Sequence, residues 1–216
     1  MPFDFLRRKK GDTAAAGGRT DAKKRAAGTV IRFDGLTEEW RLVGRMHLDT
    51  RLSDALNRRE AVPISDVSWA PIDGSSGFTE VPGLKSVDPY DLIVVLAGEG
   101  SQGPLTEAEQ EAYKVHRVAY DVALEAPPFR IVGTVYLLPG TEPERLLDRA
   151  TEMFLPVVGG VVSVGDRTVS DPDVDAVLVN RFYLRGVLQV DKRTGEPAQK
   201  LPGAPLGGVS WQDRTR

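Results

Sequence analysis

The sequence predicts an α+β protein, mostly β, built from two tandem units of the same design. Three observations carry that expectation. The middle of the chain is written twice, short strands alternate with turns at regular spacing, and each unit holds a single short helical stretch. Trp40-Arg41-Leu42-Val43-Gly44 returns as Phe129-Arg130-Ile131-Val132-Gly133, and Arg51-Leu52-Ser53-Asp54 as Arg145-Leu146-Leu147-Asp148. Val62-Pro63-Ile64 returns as Leu155-Pro156-Val157, and Val87-Asp88-Pro89-Tyr90 as Val179-Asn180-Arg181-Phe182. The blocks keep their order, with offsets of 89, 94, 93 and 92 residues, the signature of a duplication with small insertions.

The first unit is expected over 28–98. Thr29 to Phe33 is rich in strand formers, and Leu42, Met46 and Leu48 share one face of the next segment, as a half-buried strand requires. Asp49 or Thr50 is placed to cap a short helix whose apolar Leu52, Ala55 and Leu56 are spaced i, i+3, i+4. Pro63 ends that element, and Ile64 to Ile72 reads as a strand with Val67 and Trp69 on one face. Asp73-Gly74-Ser75-Ser76-Gly77 is a turn cluster, and Leu92 to Leu96 is the most apolar strand of this half.

The second unit, 116–191, reads in parallel. Val118, Tyr120, Val122 and Leu124 alternate, Pro127-Pro128 turns the chain, and Phe129 to Leu138 returns. A helix is expected from Pro143 to Phe154. Val157 to Val164 follows, with a bulge or bend at Gly159-Gly160. Ala176 to Val179 and Tyr183 to Val190 make a final hairpin. Each unit is thus strand, strand, helix, strand, hairpin, a pattern expected to give a small bent sheet or a partly open barrel. A pair of such units admits a pseudo-twofold relation. Residues 99–115 read as a glycine-rich joint and a linker helix, with a capping box at Thr106 and Glu109. Residues 1–27 and 192–216 have the composition of disordered tails.

The block Arg51-Leu52-Ser53-Asp54-Ala55-Leu56-Asn57 resembles that of uncharacterised small bacterial domains carrying an R-L-x-D-x-L-N helix between strands. The resemblance implies a fold and no particular activity. The second unit keeps Arg145, Leu146 and Asp148 but not the Leu-Asn ending.

Composition narrows the chemistry. Without cysteine there is no disulfide, thiolate nucleophile or cysteine-ligated metal. The net charge of −3 hides a split: residues 1–27 hold eight Lys/Arg against three Asp, a net +5, which leaves −8 for the rest. The acidic body is expected to repel nucleic acid and anionic membrane, and the basic head to attract them. Phe3, Phe5 and Leu6 precede the basic cluster Arg7, Arg8, Lys9 and Lys10, the wrong order for a secretory signal. The expected location is cytoplasmic, peripheral at the inner face of the membrane.

That N-terminal peptide is the leading candidate site. Its three apolar side chains and four cations suit an anionic membrane surface or a groove on a partner protein. The function expected is non-enzymatic binding or scaffolding, with no cofactor. The competing expectation is a nucleotide- or small-molecule-binding enzyme using Gly98, Gly100 and Gly103, which match G-x-G-x-x-G. Against it, the capping box places the following helix after the last glycine, whereas a phosphate cradle needs the helix to begin within the glycines. Asp171, Asp173 and Asp175 have the carboxylate spacing of a calcium loop, but Ala176 stands where glycine is needed and Phe182 where a bidentate Glu is needed. Arg51 with Asp54, and Arg145 with Asp148, are repeated polar pairs, read first as i, i+3 helical ion pairs and second as the lining of a shared cleft. His47 and His116 read as surface residues.

Overall fold

The computed structural model describes residues 29–98, 101, 117–148, 152–171, 174–191, 194, 196 and 197. In chain order the elements are β1 (Thr29–Leu36), β2 (Trp40–Leu48), α1 (Leu52–Asn57), β3 (Val62–Pro63), β4 (Ser65–Pro71), β5 (Thr79–Glu80), β6 (Ser86–Val87) and β7 (Val94–Gly98). There follow β8 (Val118–Ala126), β9 (Phe129–Leu137), β10 (Phe154–Val164), β11 (Arg167–Thr168), β12 (Val174–Asn180) and β13 (Gly186–Gln189). Short 3-10 helices occupy Pro89–Asp91, Pro143–Leu147 and Arg181–Tyr183. The protein is mostly β, and every strand pair is antiparallel.

One sheet of eleven strands runs β13-β8-β9-β10-β12-β7-β1-β2-β4-β5, with β11 beside β10; β3 and β6 form a separate pair. The sheet is not closed into a barrel. At its centre β7 pairs with β12, matching Val94 with Val179 and Val95 with Leu178. Both strands are nearly all apolar because both of their faces are buried. Val95, Ala97, Ala176 and Leu178 enter one core with Phe33, Met46 and α1. Val94, Leu96, Val177 and Val179 enter the other with Phe129, Ile131 and Leu155. The two strands are therefore a wall shared by two cores.

On either side of the wall the ladders have the same registers. β1 pairs with β2 through Phe33 and Gly44, as β8 pairs with β9 through Val122 and Gly133. Val43 lies opposite Ser68 as Val132 lies opposite Val161, and both ladders then slip, to Arg45 with Ser65 and to Thr134 with Val158. Val62 faces Val87 as Leu155 faces Val179. Gly35 faces Val95 as Leu124 faces Val187. The two slips centre on Asp66 and Gly159, both with left-handed backbone, φ 52° and 55°. Opposite the slips, Gly44 and Gly133 let strands approach. A β-carbon on Gly44 would lie 2.9 Å from the Ser65 carbonyl oxygen, and one on Gly133 2.9 Å from the Gly160 α-carbon.

Four expectations are corrected. Instead of two small sheets or partly open barrels there is one continuous sheet, because β12 bonds to β7 across the two halves. β12 and β13 are not a hairpin: β12 lies between β10 and β7, and β13 pairs with β8, the chain crossing between them through the 3-10 helix at Arg181–Tyr183. The helix expected from Pro143 to Phe154 is a 3-10 helix ending at Leu147, and Phe154 already begins β10. Its last carbonyls accept from a side chain, as described below. Neither Asp49 nor Thr50 caps α1; Arg51 holds that position, and the first helical N–H, of Leu52, donates to the Ser101 carbonyl at 3.1 Å.

The shared left-handed site gives a first test. An L-residue there is strained and glycine is not. Asp66→Gly is expected to raise stability by about 0.5–1 kcal/mol and Gly159→Ala to lower it by about 1 kcal/mol. Urea unfolding midpoints at unchanged slope would read both. A destabilised Asp66→Gly chain would show that Asp66 contributes more than its backbone shape.

Candidate functional site

Several candidate residues lie outside the described residues: Phe3, Phe5, Leu6, Arg7, Arg8, Lys9, Lys10, Gly100, Gly103, Asp173, the 106–116 helix and His116. The others have defined places. Gly98 ends β7 opposite Val174, and a β-carbon there would meet nothing within 4 Å, so no close approach demands glycine. The next described residue, Ser101, is buried; its hydroxyl donates to the Gly98 carbonyl at 2.6 Å, and its own carbonyl receives the start of α1. Asp171 lies 3.3 Å from Arg41, and Asp175 is exposed in β12. Among the described residues no group of three His, Cys, Asp or Glu side chains is placed to hold a metal ion. No helix among them is long and apolar enough to cross a membrane. His47 is exposed on β2.

The repeated polar pairs do different things in the two halves. Asp54 is exposed in the first turn of α1, where a carboxylate suits the helix dipole. At Arg145 and Asp148 the main chain does the work. Arg181 lays its guanidinium over the end of the 3-10 helix, donating to the carbonyls of Leu146 (3.2 Å), Arg145 (3.3 Å) and Asp148 (2.9 Å). Burial lowers the pKa of this guanidinium, and nearby Glu152 and Asp148 oppose the shift.

The structure concentrates its polar side chains at the joint between the halves. Asn57, the last residue of α1, accepts from the N–H groups of Met153 and Phe154 at 2.8 Å each, tying the first half to the start of β10. Fully buried Asn180 ends β12 with its valences used: its amide donates to the Leu92 carbonyl at 2.8 Å, its side-chain carbonyl accepts from Phe182, and its N–H donates to Ile93. Asp88 makes the matching bond to the N–H of Tyr90 in the first half. Tyr90 and Phe182 then stack with centroids 6.0 Å apart, and the Tyr183 hydroxyl donates to the Tyr90 carbonyl. Burial raises the Tyr183 pKa, and the charges of Asp91 and Glu38 add to the shift.

Arg41 makes the other connection. It meets buried Asp34 through two bonds of 2.9 and 2.6 Å, and reaches across to the Val169 carbonyl at 3.1 Å and to Asp171. The bond to Asp34 raises the Arg41 pKa against the opposing effect of burial. Beside it an open groove of about 310 Å³ is lined by Leu36, Pro71, Ile72, Phe78, Arg167 and Val169. Arg41 is a structural cation, with its fork already filled by protein oxygens.

The feature that the sequence reading missed is on the surface. Trp40 and Trp69 stack with centroids 5.1 Å apart and 28° between planes, 36% and 37% exposed. The Thr37–Trp40 turn holds the first in place: the Trp40 N–H donates to the Thr37 hydroxyl oxygen at 3.0 Å, and the Thr37 N–H donates to the Trp40 carbonyl at 2.8 Å. In the same register of the second half stand Phe129 and Val162, 1% and 0% exposed. One clue was available. Two of the three tryptophans of the chain occupy repeat positions whose counterparts are a phenylalanine and a valine. No family model, curated protein or solved structure matches this chain.

Three substitutions test the joint. Asn57→Ala strands two N–H groups and is expected to cost about 2–4 kcal/mol, while Asn57→Asp, which keeps an acceptor, costs less. Asp34→Ala leaves a half-buried guanidinium without its main partner, at about 3 kcal/mol. Chemical unfolding of the three variants is the measurement, and an Asn57→Ala chain as stable as the parent would remove Asn57 from the joint.

Proposed function

We propose that this is a non-enzymatic binding protein: a rigid β scaffold recruited through residues 3–10 to an anionic membrane surface or a protein partner. The observation that carries the reading is the Trp40–Trp69 pair, stacked and held by its turn yet open to solvent, where the other half buries its equivalents. Tryptophan is a costly residue to leave exposed and a frequent anchor at interfaces. The buried and half-buried polar side chains at the joint support the same reading. Asn57, Asn180 and Arg41 make hydrogen bonds that cross between the two halves, and Asp34 holds Arg41 in place for its crossing bond.

We further read residues 28–98 and 116–191 as duplicated units. The matched registers, the coincident slips at Asp66 and Gly159, and the like-capped 3-10 helices after Asp88 and Asn180 support this. By those equivalences β7 corresponds to β13, and β12 to β6. The joint pairs β7 with β12, two strands that are not equivalent. That pairing favours a head-to-tail relation over a pseudo-twofold one.

Flotation with vesicles tests recruitment. The intact chain is expected to rise with vesicles containing anionic lipid and to be released by salt, because each Lys or Arg contributes about 1 kcal/mol near such a surface. A chain lacking residues 1–10 should stay at the bottom. Equal flotation of the two chains would sink the membrane arm of the proposal.

A further inference from the structure

We infer that the Trp40–Trp69 pair is a docking surface for the chain's own N-terminal peptide, residues 3–10, so that the peptide and the scaffold regulate each other. The inference rests on the reading above, with which it shares both the peptide and the tryptophan pair, and gives the pair a definite occupant. Three observations carry it.

The pair is uncovered by design. Its counterparts Phe129 and Val162 lie inside a core that packs against Ile72 and Val169, whereas Trp40 and Trp69 keep more than a third of their surface in solvent. A stacked tryptophan pair offers flat, electron-rich faces, which suit both aromatic and cationic side chains.

The rim has the complementary charge. Glu38 and Glu39 directly precede Trp40 and are exposed. Among the described residues neither carboxylate is in an ion pair. The nearest arginine in sequence, Arg41, is engaged with Asp34. The peptide supplies the opposite pattern: Phe3, Phe5 and Leu6, followed at once by Arg7, Arg8, Lys9 and Lys10. Aromatic rings can lie against the tryptophans while the cations meet the acidic rim.

The chain is long enough. Residues 11–28 join the peptide to the start of β1. Eighteen residues can span up to about 60 Å, and the eight-residue β1, which leads to the Trp40 turn, is about 26 Å long. Tethering places the peptide at an effective concentration near the millimolar range, so that even a weak contact is populated.

The test uses the full chain carrying Trp211→Phe, so that emission reports Trp40 and Trp69 alone. Acrylamide quenching is compared with and without residues 1–10, in the absence of vesicles. Removal of the peptide is expected to raise the quenching slope about twofold, and a synthetic peptide of residues 1–12 to reverse the change; the intact chain should lose its protection at high salt. Glu38→Gln with Glu39→Gln should raise quenching in the intact chain and leave the truncated chain unchanged. Identical quenching of the intact and truncated chains would overturn the inference. So would protection that appears only as protein concentration rises, since the peptide would then come from a second copy. The two proposals fail separately: flotation without a change in quenching removes the docking, and a change in quenching without flotation removes the recruitment.

Discussion

The pairing of β7 with β12 is the constraint on which the rest of the molecule depends. These two strands come from opposite halves, yet each contributes alternate side chains to both cores. Val94 and Leu96 serve one core, and Val95 and Ala97 the other. A strand buried on both faces has no polar phase, which explains why Leu92 to Ala97 is the longest apolar run in the chain. The polar side chains cluster at the borders of this wall. Asn180 closes one end of β12, Asn57 ties α1 to the start of β10, and Arg41 with Asp34 spans to the β11 side. Each is placed where the two halves would otherwise leave main-chain donors or acceptors without partners.

Much of this was legible in the residues. Leu42, Met46 and Leu48 on one face of β2, the buried Leu52, Ala55 and Leu56 of α1, and the bulge at Gly159-Gly160 follow from period and glycine placement. What periodicity cannot supply is which edge meets which. The β12–β13 hairpin was a reasonable expectation from adjacency, but the 3-10 helix at Arg181–Tyr183 carries the chain across to β8. The long helix after Pro143 failed for a similar reason. Its apolar spacing was adequate, but Arg181, far along the chain, holds the carbonyls of Leu146 and Asp148 at the end of the short 3-10 helix.

The candidate site was legible only as a contrast. Trp69 belonged by alternation to the same face as Val67, and Val67 is indeed buried. Trp69 instead stacks on Trp40 with more than a third of its surface in solvent. The two halves share a backbone plan and differ in what they expose. Positions that hold Phe129 and Val162 inside one half hold tryptophans at the surface of the other. The chemistry of this protein is better sought where its halves differ than where they agree.

The shared wall also bears on how the molecule comes apart. Neither core can be opened without stripping one face from the same two strands, so the two halves are not separate folding units even though their ladders match. A chain cut between them would leave β7 or β12 as an apolar edge with an unpaired row of N–H and C=O groups, a ready template for self-association. The boundary between the two halves runs through the middle of a single hydrogen-bonded surface.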